Sequence, residues 1–491
     1  MSKWLKIGFF LIIFFIFCYL RIMPIINRTV PYTYDQGRDF LKVAQIINER
    51  KLTFIGPATG IMGLFHGAWW YYILLIPYII FNGWPTGFYI FIFLISILFN
   101  LLFFSFINKR FNFITGLFFM SIVSISQYFV PLSFFVSNNI IVPSLIIGLI
   151  ILTFYLFDNK NINKYLLLLL GLNLGFIFEF EVAFGLFIIP IYLLLLVIFP
   201  STKSKLFYLK NWVFLLIGLA IPFIPRALFE IKNHFLQTKT IINFFINPKL
   251  HNPRPLLITI SDRLTLFWNY YLSIFNDKNI YFSIITGVLT IIVLLIFRKK
   301  LVKIKALFFL MFVTVLLFLF SILYKDNFWT NYYEGIQYVI LTFILVGFYL
   351  LSKYNKILSI LVFLIFFIFN ILVLFNTLKN TPVEIIGLKE AEVTIDYLSA
   401  QVNKKDYCLK IYTPPAIPFT YNYLINYQIK KTGLKYPSND FISNQCYYIV
   451  ENDSYQFRLN KWREENIPKN SRLELRHKIS NNVSFEIWKQ I

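Results

Sequence analysis

The sequence predicts an α-helical polytopic membrane protein with about eleven transmembrane helices, interfacial helices in its first external loop, and a small C-terminal α/β domain. The composition is 58% hydrophobic and 14% charged, which is too apolar for a water-soluble domain. Apolar runs of roughly 17 to 25 residues recur through the first three quarters of the chain, and each can cross a bilayer of about 30 Å as a helix. The last quarter changes character and contains short β-prone runs.

Basic residues predict the topology. Lys3 and Lys6 precede the first apolar run, which places the N-terminus in the cytoplasm. Later short basic loops mark the same side and separate the remaining runs. The predicted spans are Trp4–Ile26, Thr86–Ile107, Phe113–Pro131, Asn139–Phe157, Tyr165–Phe178, Val182–Phe199, Asn211–Pro225, Ile280–Phe297, Ala306–Leu323, Gly335–Leu351 and Ile357–Asn376. The segment 165–199 is barely long enough for two spans, and a single helix there would invert everything downstream.

The predicted spans make up a membrane domain, 1–376, which is followed by an α/β domain, 377–491. Because the number of spans is odd and the N-terminus is cytoplasmic, the α/β domain is expected to be extracytoplasmic. The membrane domain then has two long external loops, 27–85 and 226–279. We interpret the apolar run Gly67–Phe81 in the first loop as a helix lying in the membrane interface, because a crossing there would break the charge alternation. The expected location is the cell membrane.

The net charge of +23 does not indicate a nucleic-acid partner. The segment 377–491 holds 16 Lys+Arg and 12 Asp+Glu, so +19 of the excess lies in the membrane domain, where basic residues separate apolar spans. That distribution is typical of positive-inside loops and lipid head-group contacts. Cys408 and Cys446 of the C-terminal domain either form a disulfide or remain buried thiols; the sequence supports both readings equally.

Carboxylates of the membrane domain gather on one predicted side. Of eleven Asp and Glu residues in 1–376, ten fall outside or at the outer ends of spans. The first loop contains DQGRD, in which Asp35, Arg38 and Asp39 would share one face of a helix beginning near Tyr34. A carboxylate there could take a proton from an acceptor while the guanidinium holds a phosphate. Alternatively, Asp35 only caps the helix and the other two pair in solvent.

Further candidates for a donor-phosphate or substrate site lie in other predicted external segments. A carboxylate in the apolar run FEFEVAF is costly unless it faces a cavity or a partner. Cations directly after a span bind either phosphates or lipid head groups, and external aromatics either stack on a sugar or belong to the interfacial belt. A lone histidine beside Gly and aromatic residues is more often a packing residue than a ligand. These candidates are Glu179, Glu181, Arg226, Glu230, His66, Tyr332 and Tyr333.

From DQGRD onward, the chain resembles the GT-C superfamily of membrane glycosyltransferases, which includes protein O-mannosyltransferases, lipid A aminoarabinose transferases and related bacterial family 39 enzymes. The resemblance rests on DQGRD, on LFHGAWWYYILLIPYIIFNG, on PRALFEIKNHF and on NYYEGIQ. It implies inverting transfer of a sugar from a polyprenyl-phosphate donor to a lipid, glycan or protein acceptor, in building the cell envelope. By the same resemblance Asp35 would be the catalytic carboxylate, supported by Asp39 or Arg38.

The resemblance leaves the metal requirement open. A divalent Mg or Mn ion would have Asp35 and Glu181 as candidate ligands. Many bacterial relatives carry a Gln and His pair where this chain has Glu179 and Glu181, which puts the acceptor type in doubt. A membrane transporter or flippase is the main alternative on composition, and a polysaccharide polymerase or ligase would share the same donor. The long first loop, the folded tail and carboxylates at one face favour the transferase.

Overall fold

A computed structural model describes residues 2–159, 163–203, 209–247, 254–276, 279–324, 326–380, 387–414 and 417–491. This part of the chain is mostly helical, and a four-stranded sheet lies near the C-terminus. Asp277 and His251, both in the predicted second loop, lie outside the described residues.

Within the ranges given above, the membrane domain is helical apart from one small hairpin in the first loop, and in the C-terminal domain helices alternate with the strands of the main sheet. The helices of residues 1–376 are α1 (Lys3–Ile26), α2 (Tyr34–Glu49), α3 (Trp69–Ile80), α4 (Pro85–Arg110), α5 (Phe113–Ile125), α6 (Val142–Asp158), α7 (Lys164–Phe180), α8 (Val182–Ile198), α9 (Pro200–Lys203), α10 (Leu209–Ala220), α11 (Ile224–Lys232), α12 (Leu236–Ile246), α13 (Leu256–Ser273), α14 (Ile280–Ile296), α15 (Arg298–Val302), α16 (Lys305–Ser321), α17 (Ile336–Tyr354) and α18 (Lys356–Asn380). The C-terminal helices are α19 (Leu388–Val402), α20 (Phe419–Thr432) and α21 (Gln456–Asn466). The strands are β1 (Ile55–Ala58), β2 (Phe65–Gly67), β3 (Leu409–Tyr412), β4 (Gln445–Glu451), β5 (Ser471–Lys478) and β6 (Val483–Gln490).

Apolar helices of two lengths make up the membrane domain. Within the described ranges, six helical segments are long and apolar enough to cross a membrane. They are Lys3–Ile26, Pro85–Arg110, Asn138–Asp158, Leu209–Lys232, Ile336–Tyr354 and Lys356–Val373. Five shorter apolar helices accompany them, and α3 with its 12 residues is among these. The protein is therefore a multi-pass membrane protein, as predicted.

The structure resolves the uncertain segment 165–199 into two helices. Helix α7 ends at Phe180 and α8 begins at Val182, with Glu181 extended between them. Because the chain turns there, the predicted hairpin is present. The two helices pack against each other, and α7 also packs closely on α10. Gly171 of α7 and Gly218 of α10 allow this approach, since a β-carbon at either position would meet the backbone of the other helix.

The predicted second external loop is largely helical in its described part. Helix α10 continues through a short 3₁₀ turn, Ile221–Phe223, into α11, so the apolar segment extends beyond the predicted end at Pro225. Helices α12 and α13 follow. The sequence prediction missed this because Pro222 and Pro225 read as a terminus, whereas each occupies the first turn of a helical element, where proline is tolerated.

The C-terminal domain is an α/β unit built on the strand order β3-β4-β6-β5. Strands β3 and β4 are parallel, and the β4–β6 and β6–β5 pairs are antiparallel. The α/β character predicted for this segment is present: strands β3 and β4 follow Tyr407 and include Cys446, and helix α19 precedes them. Cys408 and Cys446 form a disulfide that joins the ends of β3 and β4.

This domain lies directly against the first loop. Helix α20 packs on α2, and a β-carbon on Gly37 would meet the backbone of Phe419 and Thr420. The Tyr32 hydroxyl donates to the carbonyl of Thr420 over 3.0 Å, and Arg28 pairs with Glu392 at 2.8 Å. The DQGRD segment is thus held between the membrane helices and the C-terminal domain.

Candidate functional site

The DQGRD segment occupies the first turns of α2 because the residues before it start the helix. Thr33 is the N-cap, and the Gln36 side chain accepts from its backbone N–H over 2.8 Å, forming a capping box. The Gln36 amide also donates to the carbonyl of Val136 over 2.8 Å. This contact anchors α2 to the connection between α5 and α6. Thr33 rather than Asp35 therefore caps the helix.

Arg38 connects the two aspartates of the motif. Its Nη1 lies 2.8 Å from Asp35 Oδ1, and its Nε lies 2.8 Å from Asp39 Oδ1. The second oxygen of Asp39 accepts from the indole N–H of Trp70 over 2.7 Å. The shared helical face predicted from the spacing is present. The two carboxylates differ in environment, because the Asp35 side chain is 59% exposed and the Asp39 side chain is 1% exposed.

Burial controls the ionisation of Asp39. Removal from water raises the pKa of its carboxyl group to about 6, while the Arg38 charge and the hydrogen bonds from Arg38 and Trp70 oppose the rise. The same carboxylate, together with that of Asp35, raises the pKa of Arg38 and keeps the guanidinium charged. In this motif, the exposed carboxylate of Asp35 pairs with the guanidinium of Arg38. The buried carboxylate of Asp39 fixes the position of that guanidinium.

A second charged group forms where α7 meets α11. Arg226 Nε lies 2.6 Å from Glu179 Oε1, and the Glu179 side chain is fully buried. The Nη1 of Arg226 donates to the Phe65 carbonyl over 3.0 Å and to Gln237 Oε1 over 2.6 Å. One arginine thus joins α7, the strand β2 and the first turn of α12. This pairing explains how Glu179 is tolerated in an apolar helix.

Several atoms of this group lack a hydrogen-bond partner in the described part of the chain. They are Nδ1 of His66, Oε2 of Glu179, Nη2 of Arg226 and Nε2 of Gln237, and all are buried. Burial, together with the positive charges of Arg226 and Arg38, lowers the pKa of His66 to about 3. His66 is therefore neutral at physiological pH and lies within electrostatic reach of both arginines.

A cavity adjoins this group. It is lined by residues of the loop between β1 and β2, of α8, of α12 and of the segment between α16 and α17. Glu181, His66 and Tyr332 all face it. Glu181 Oε1 accepts from the backbone N–H of Ala183 over 3.3 Å at the start of α8. The structure thus brings together three residues that the sequence analysis singled out separately.

Two other predicted site residues, Tyr333 and Glu230, support the fold around the cavity and do not line it. Tyr333 is fully buried among Phe184, Phe267 and Phe328, with ring centroids 4.8 to 6.1 Å apart. Glu230 accepts from the backbone N–H groups of Gln237 and Thr238 at 3.0 and 2.9 Å, where α12 begins. Such bonds satisfy N–H groups that a helix terminus leaves free. Neither side chain lines the cavity.

Sequence reasoning missed three functional candidates. Trp70 lies in the run that we interpreted as an interfacial helix, although its indole N–H holds Asp39. Gln237 joins Arg226 without any local motif to mark it. Glu334 accepts a hydrogen bond from Tyr128, and burial raises the pKa of Glu334 to about 7. The position of Glu334 in NYYEGIQ was the one available signal.

The donor set does not form a metal centre. Among the described residues, no group of three or more His, Cys, Asp or Glu side chains is arranged to hold a metal ion. Asp35 is paired with Arg38, and Glu181 bonds to the start of α8. The residues present therefore do not fit the Mg or Mn ion considered from the sequence.

Comparisons with known proteins show the fold. No family model and no curated protein sequence matches the chain. The crystal structure of ArnT from Cupriavidus metallidurans bound to undecaprenyl phosphate aligns with a TM-score of 0.56 at 10% identity, covering 99% of this chain and 98% of that one. The apo state of the same protein aligns with a TM-score of 0.55 at 10% identity, over 98% and 97% of the two chains.

A weaker likeness, with a TM-score of 0.46 at 12% identity, relates the chain to the apo oligosaccharyltransferase of Archaeoglobus fulgidus, over 92% of this chain and 70% of that one. The two ArnT alignments extend over nearly the whole length of both chains, membrane helices and C-terminal domain included. The chain therefore shares the fold of ArnT over nearly its whole length.

Proposed function

We propose that this protein transfers a sugar from a polyprenyl-phosphate donor to an acceptor at the extracytoplasmic face of the membrane. The main observation behind the proposal is the environment of Asp35. Its exposed carboxylate pairs with Arg38, and the buried carboxylate of Asp39 fixes Arg38 in place. The fold supports it, because ArnT, the protein of similar fold, is seen bound to undecaprenyl phosphate. A lipid-linked donor needs no nucleotide-binding domain.

Charge and the disulfide support the proposed sidedness. Short basic loops favour the cytoplasm for the ends of the helices opposite the C-terminal domain. The domain itself contains the Cys408–Cys446 disulfide, and disulfides persist in oxidising compartments. Since the domain packs on α2, the DQGRD motif lies on the same side. These two independent signals agree on an extracytoplasmic site and C-terminus.

The reaction assigned to the site is a single displacement. Asp35 accepts the proton of the acceptor hydroxyl as the oxygen attacks the anomeric carbon. The bond between that carbon and the phosphate oxygen breaks, and the electron pair leaves with polyprenyl phosphate. Attack from the face opposite the phosphate inverts the anomeric configuration. Arg38 positions Asp35, and Asp39 with Trp70 positions Arg38.

The leaving phosphate gains negative charge and needs a cation. We assign this role to Arg226, because its Nη2 has no acceptor in the described part of the chain while its other nitrogens are fixed by Glu179, Phe65 and Gln237. A preorganised guanidinium stabilises charge that develops during the reaction. The sugar then occupies the cavity lined by His66, Glu181 and Tyr332, where the phenol ring offers a stacking face.

Glu230 and Tyr333 act indirectly in this proposal. Glu230 fixes the start of α12, which carries Gln237, and Gln237 in turn holds Arg226. Tyr333 packs behind the segment that carries Tyr332. Both therefore support the shape of the site rather than contact the substrate.

The test is donor turnover by purified full-length protein in nanodiscs. Undecaprenyl-phosphate-linked mannose, glucose and aminoarabinose are supplied separately with a membrane extract as the acceptor source, and released undecaprenyl phosphate is quantified. We expect release from one of these donors, together with a labelled product. Movement of intact donor across the bilayer with no release would instead support the flippase alternative.

A further inference from the structure

A second pocket lies away from the proposed reaction site, between the first loop and the C-terminal domain. Residues of α2, of the turn after α3 and of α20 line it. Its polar side chains include three amides, those of Asn48, Asn82 and Asn426. None of its lining residues belongs to the DQGRD site or to the cavity beside Glu181. We propose that this pocket binds a pyranose ring of the acceptor.

The chemistry of the lining fits a sugar. Amide groups both donate and accept hydrogen bonds, which matches the hydroxyl groups of a pyranose. Four tyrosines, Tyr78, Tyr423, Tyr427 and Tyr436, line the pocket beside the amides. Tyr78 and Tyr423 are buried, whereas the rings of Tyr427 and Tyr436 keep exposed surface that can cover the C–H face of the sugar. No Asp or Glu lines the pocket, so it is not a cation site.

The pocket is preformed on one side and open on the other. Lys430 Nζ donates to the Tyr78 hydroxyl over 2.7 Å and to Asn48 Oδ1 over 3.3 Å, which fixes one wall. The Tyr423 hydroxyl donates to the Gly83 carbonyl over 2.6 Å, which joins α20 to the turn after α3. Tyr436 at the rim is 73% exposed. A fixed wall with a free aromatic rim is suited to capture a ligand from solvent or from the membrane surface.

The position of the pocket suggests which substrate it serves. Asn48 lies on α2 thirteen residues after Asp35, about 19.5 Å along the helix axis and about 140° around it. An acceptor held at Asn48 would therefore extend around α2 over roughly 20 Å to reach Asp35. This identification of the ligand as the acceptor rests on the proposed function, whereas sugar binding itself does not require turnover.

Native mass spectrometry can test the proposal with full-length protein in an oligo-oxyethylene detergent, since maltoside detergents themselves carry sugar head groups. The probes are cellotetraose, mannotetraose and chitotetraose for a free glycan, and monoglucosyl diacylglycerol for a glycolipid head group. We expect saturable binding of at least one probe. Binding of a tetrasaccharide identifies the ligand as a free glycan, and binding of the lipid alone identifies it as a glycolipid. Either result supports the proposal only if substitutions in the pocket weaken the binding.

Three substitutions probe the pocket with little risk to folding. Tyr436→Ala removes an exposed ring, and Asn426→Ala removes an amide on α20. Asn82→Gly removes an amide at a residue with φ +50°, a conformation that glycine adopts freely. Each should weaken probe binding about tenfold, the scale of one stacking or hydrogen-bond contact. Tyr455→Ala, an exposed tyrosine of the same domain outside the pocket, should leave binding unchanged.

The outcomes separate this proposal from the proposed function. Asp35→Asn should bind the probe like the wild type while losing turnover. Absence of saturable binding of all four probes would overturn the pocket assignment even if turnover is observed. Equal binding by wild type and the three pocket variants, or binding of inorganic phosphate alone, would overturn it as well.

Discussion

The indole N–H of Trp70 donates to Oδ2 of Asp39 over 2.7 Å, while Oδ1 of the same carboxylate holds Arg38 at 2.8 Å. The Trp70 ring is fully buried, so this bond is shielded from water. Helices α2 and α3 are thereby linked through one carboxylate. In the proposed mechanism, this bond fixes Asp39 and therefore Arg38, the cation that pairs with the exposed Asp35.

Replacing Trp70 by Phe should lower kcat about tenfold with little change in KM, because a hydrogen bond to a buried charge is lost. The bond also favours the ionised form of Asp39, so its loss should raise the pKa of that carboxyl group above its value of about 6. Asp39 must be ionised to hold Arg38. As pH is lowered, activity of the variant should therefore begin to fall at a higher pH than activity of the wild type. The acidic limb of a pH–rate profile measures this shift.

The neighbouring Trp69 supplies a matched control. Its indole N–H donates to the Pro222 carbonyl over 2.7 Å and does not contact Asp39. Trp69→Phe should leave the acidic limb of the pH–rate profile where it is in the wild type. An unchanged acidic limb in Trp70→Phe would remove Asp39 from the positioning role.

Replacing Gly37 by Ala should loosen the contact between α2 and α20, since the added methyl group would meet the backbone of Phe419 and Thr420. We expect faster hydrogen exchange in Phe419–Thr432 and reduced activity. Gly8→Ala is the control, because a β-carbon there meets nothing within 4 Å. Equal exchange in α20 of wild type and Gly37→Ala would contradict the tight packing.

Arg226→Lys should lower kcat/KM for the donor about tenfold, because an ammonium group cannot reproduce the fork that joins Glu179, Phe65 and Gln237. The positive charge is retained, which limits the cost to folding. Arg254→Lys, at an exposed pair with Asp262, serves as the matched substitution. If both variants show wild-type kcat/KM values for the donor, Arg226 does not stabilise the leaving phosphate.

Glu451 of the C-terminal domain should make that domain less stable as pH rises. Burial raises the pKa of Glu451 to about 7, against 4.5 for an ordinary glutamate, and the nearby Tyr421 hydroxyl opposes the rise. The folded state therefore holds a proton that the unfolded state releases. The stabilisation, on the order of 3 kcal/mol, is complete below about pH 4.5 and is lost as pH rises through 7.

Hydrogen exchange of β4, corrected for the intrinsic pH dependence, measures this effect in the full-length protein. Wild-type protection should decrease between pH 5.5 and pH 8 by more than that of Glu451→Gln, which keeps a neutral side chain throughout. Glu464→Gln, at an exposed position of α21, should behave like the wild type. Parallel pH dependence in wild type and Glu451→Gln would show that Glu451 does not take up the proton.

Much of the fold could be predicted from local patterns. Apolar runs and basic loops predicted the helices, and the spacing of DQGRD predicted the face that Arg38 shares with both aspartates. The hairpin at Glu181 was also predicted, although the length of the run left a single helix as an alternative. These features depend on neighbours in sequence, where helical periodicity and charge act directly.

The remaining parts of the site depend on distant pairs. Arg226 meets Glu179 across 47 positions, and Trp70 meets Asp39 across 31. No local pattern marks such partners, so Trp70 looked like an interfacial anchor and Gln237 had no signal. Glu230 looked like a substrate ligand because its bonds to the start of α12 form only after the chain turns at Phe235. The roles of the site residues remain predictions.

The central claim is that Asp35 accepts the proton of the acceptor. The direct measurement is release of polyprenyl phosphate by purified Asp35→Asn, with Asp262→Asn as the matched control, since Asp262 is also a part-exposed aspartate paired with an arginine. We predict at least about a hundredfold loss for Asp35→Asn and normal turnover for Asp262→Asn, with both proteins expressed and folded like the wild type. Undiminished turnover in Asp35→Asn would contradict the account.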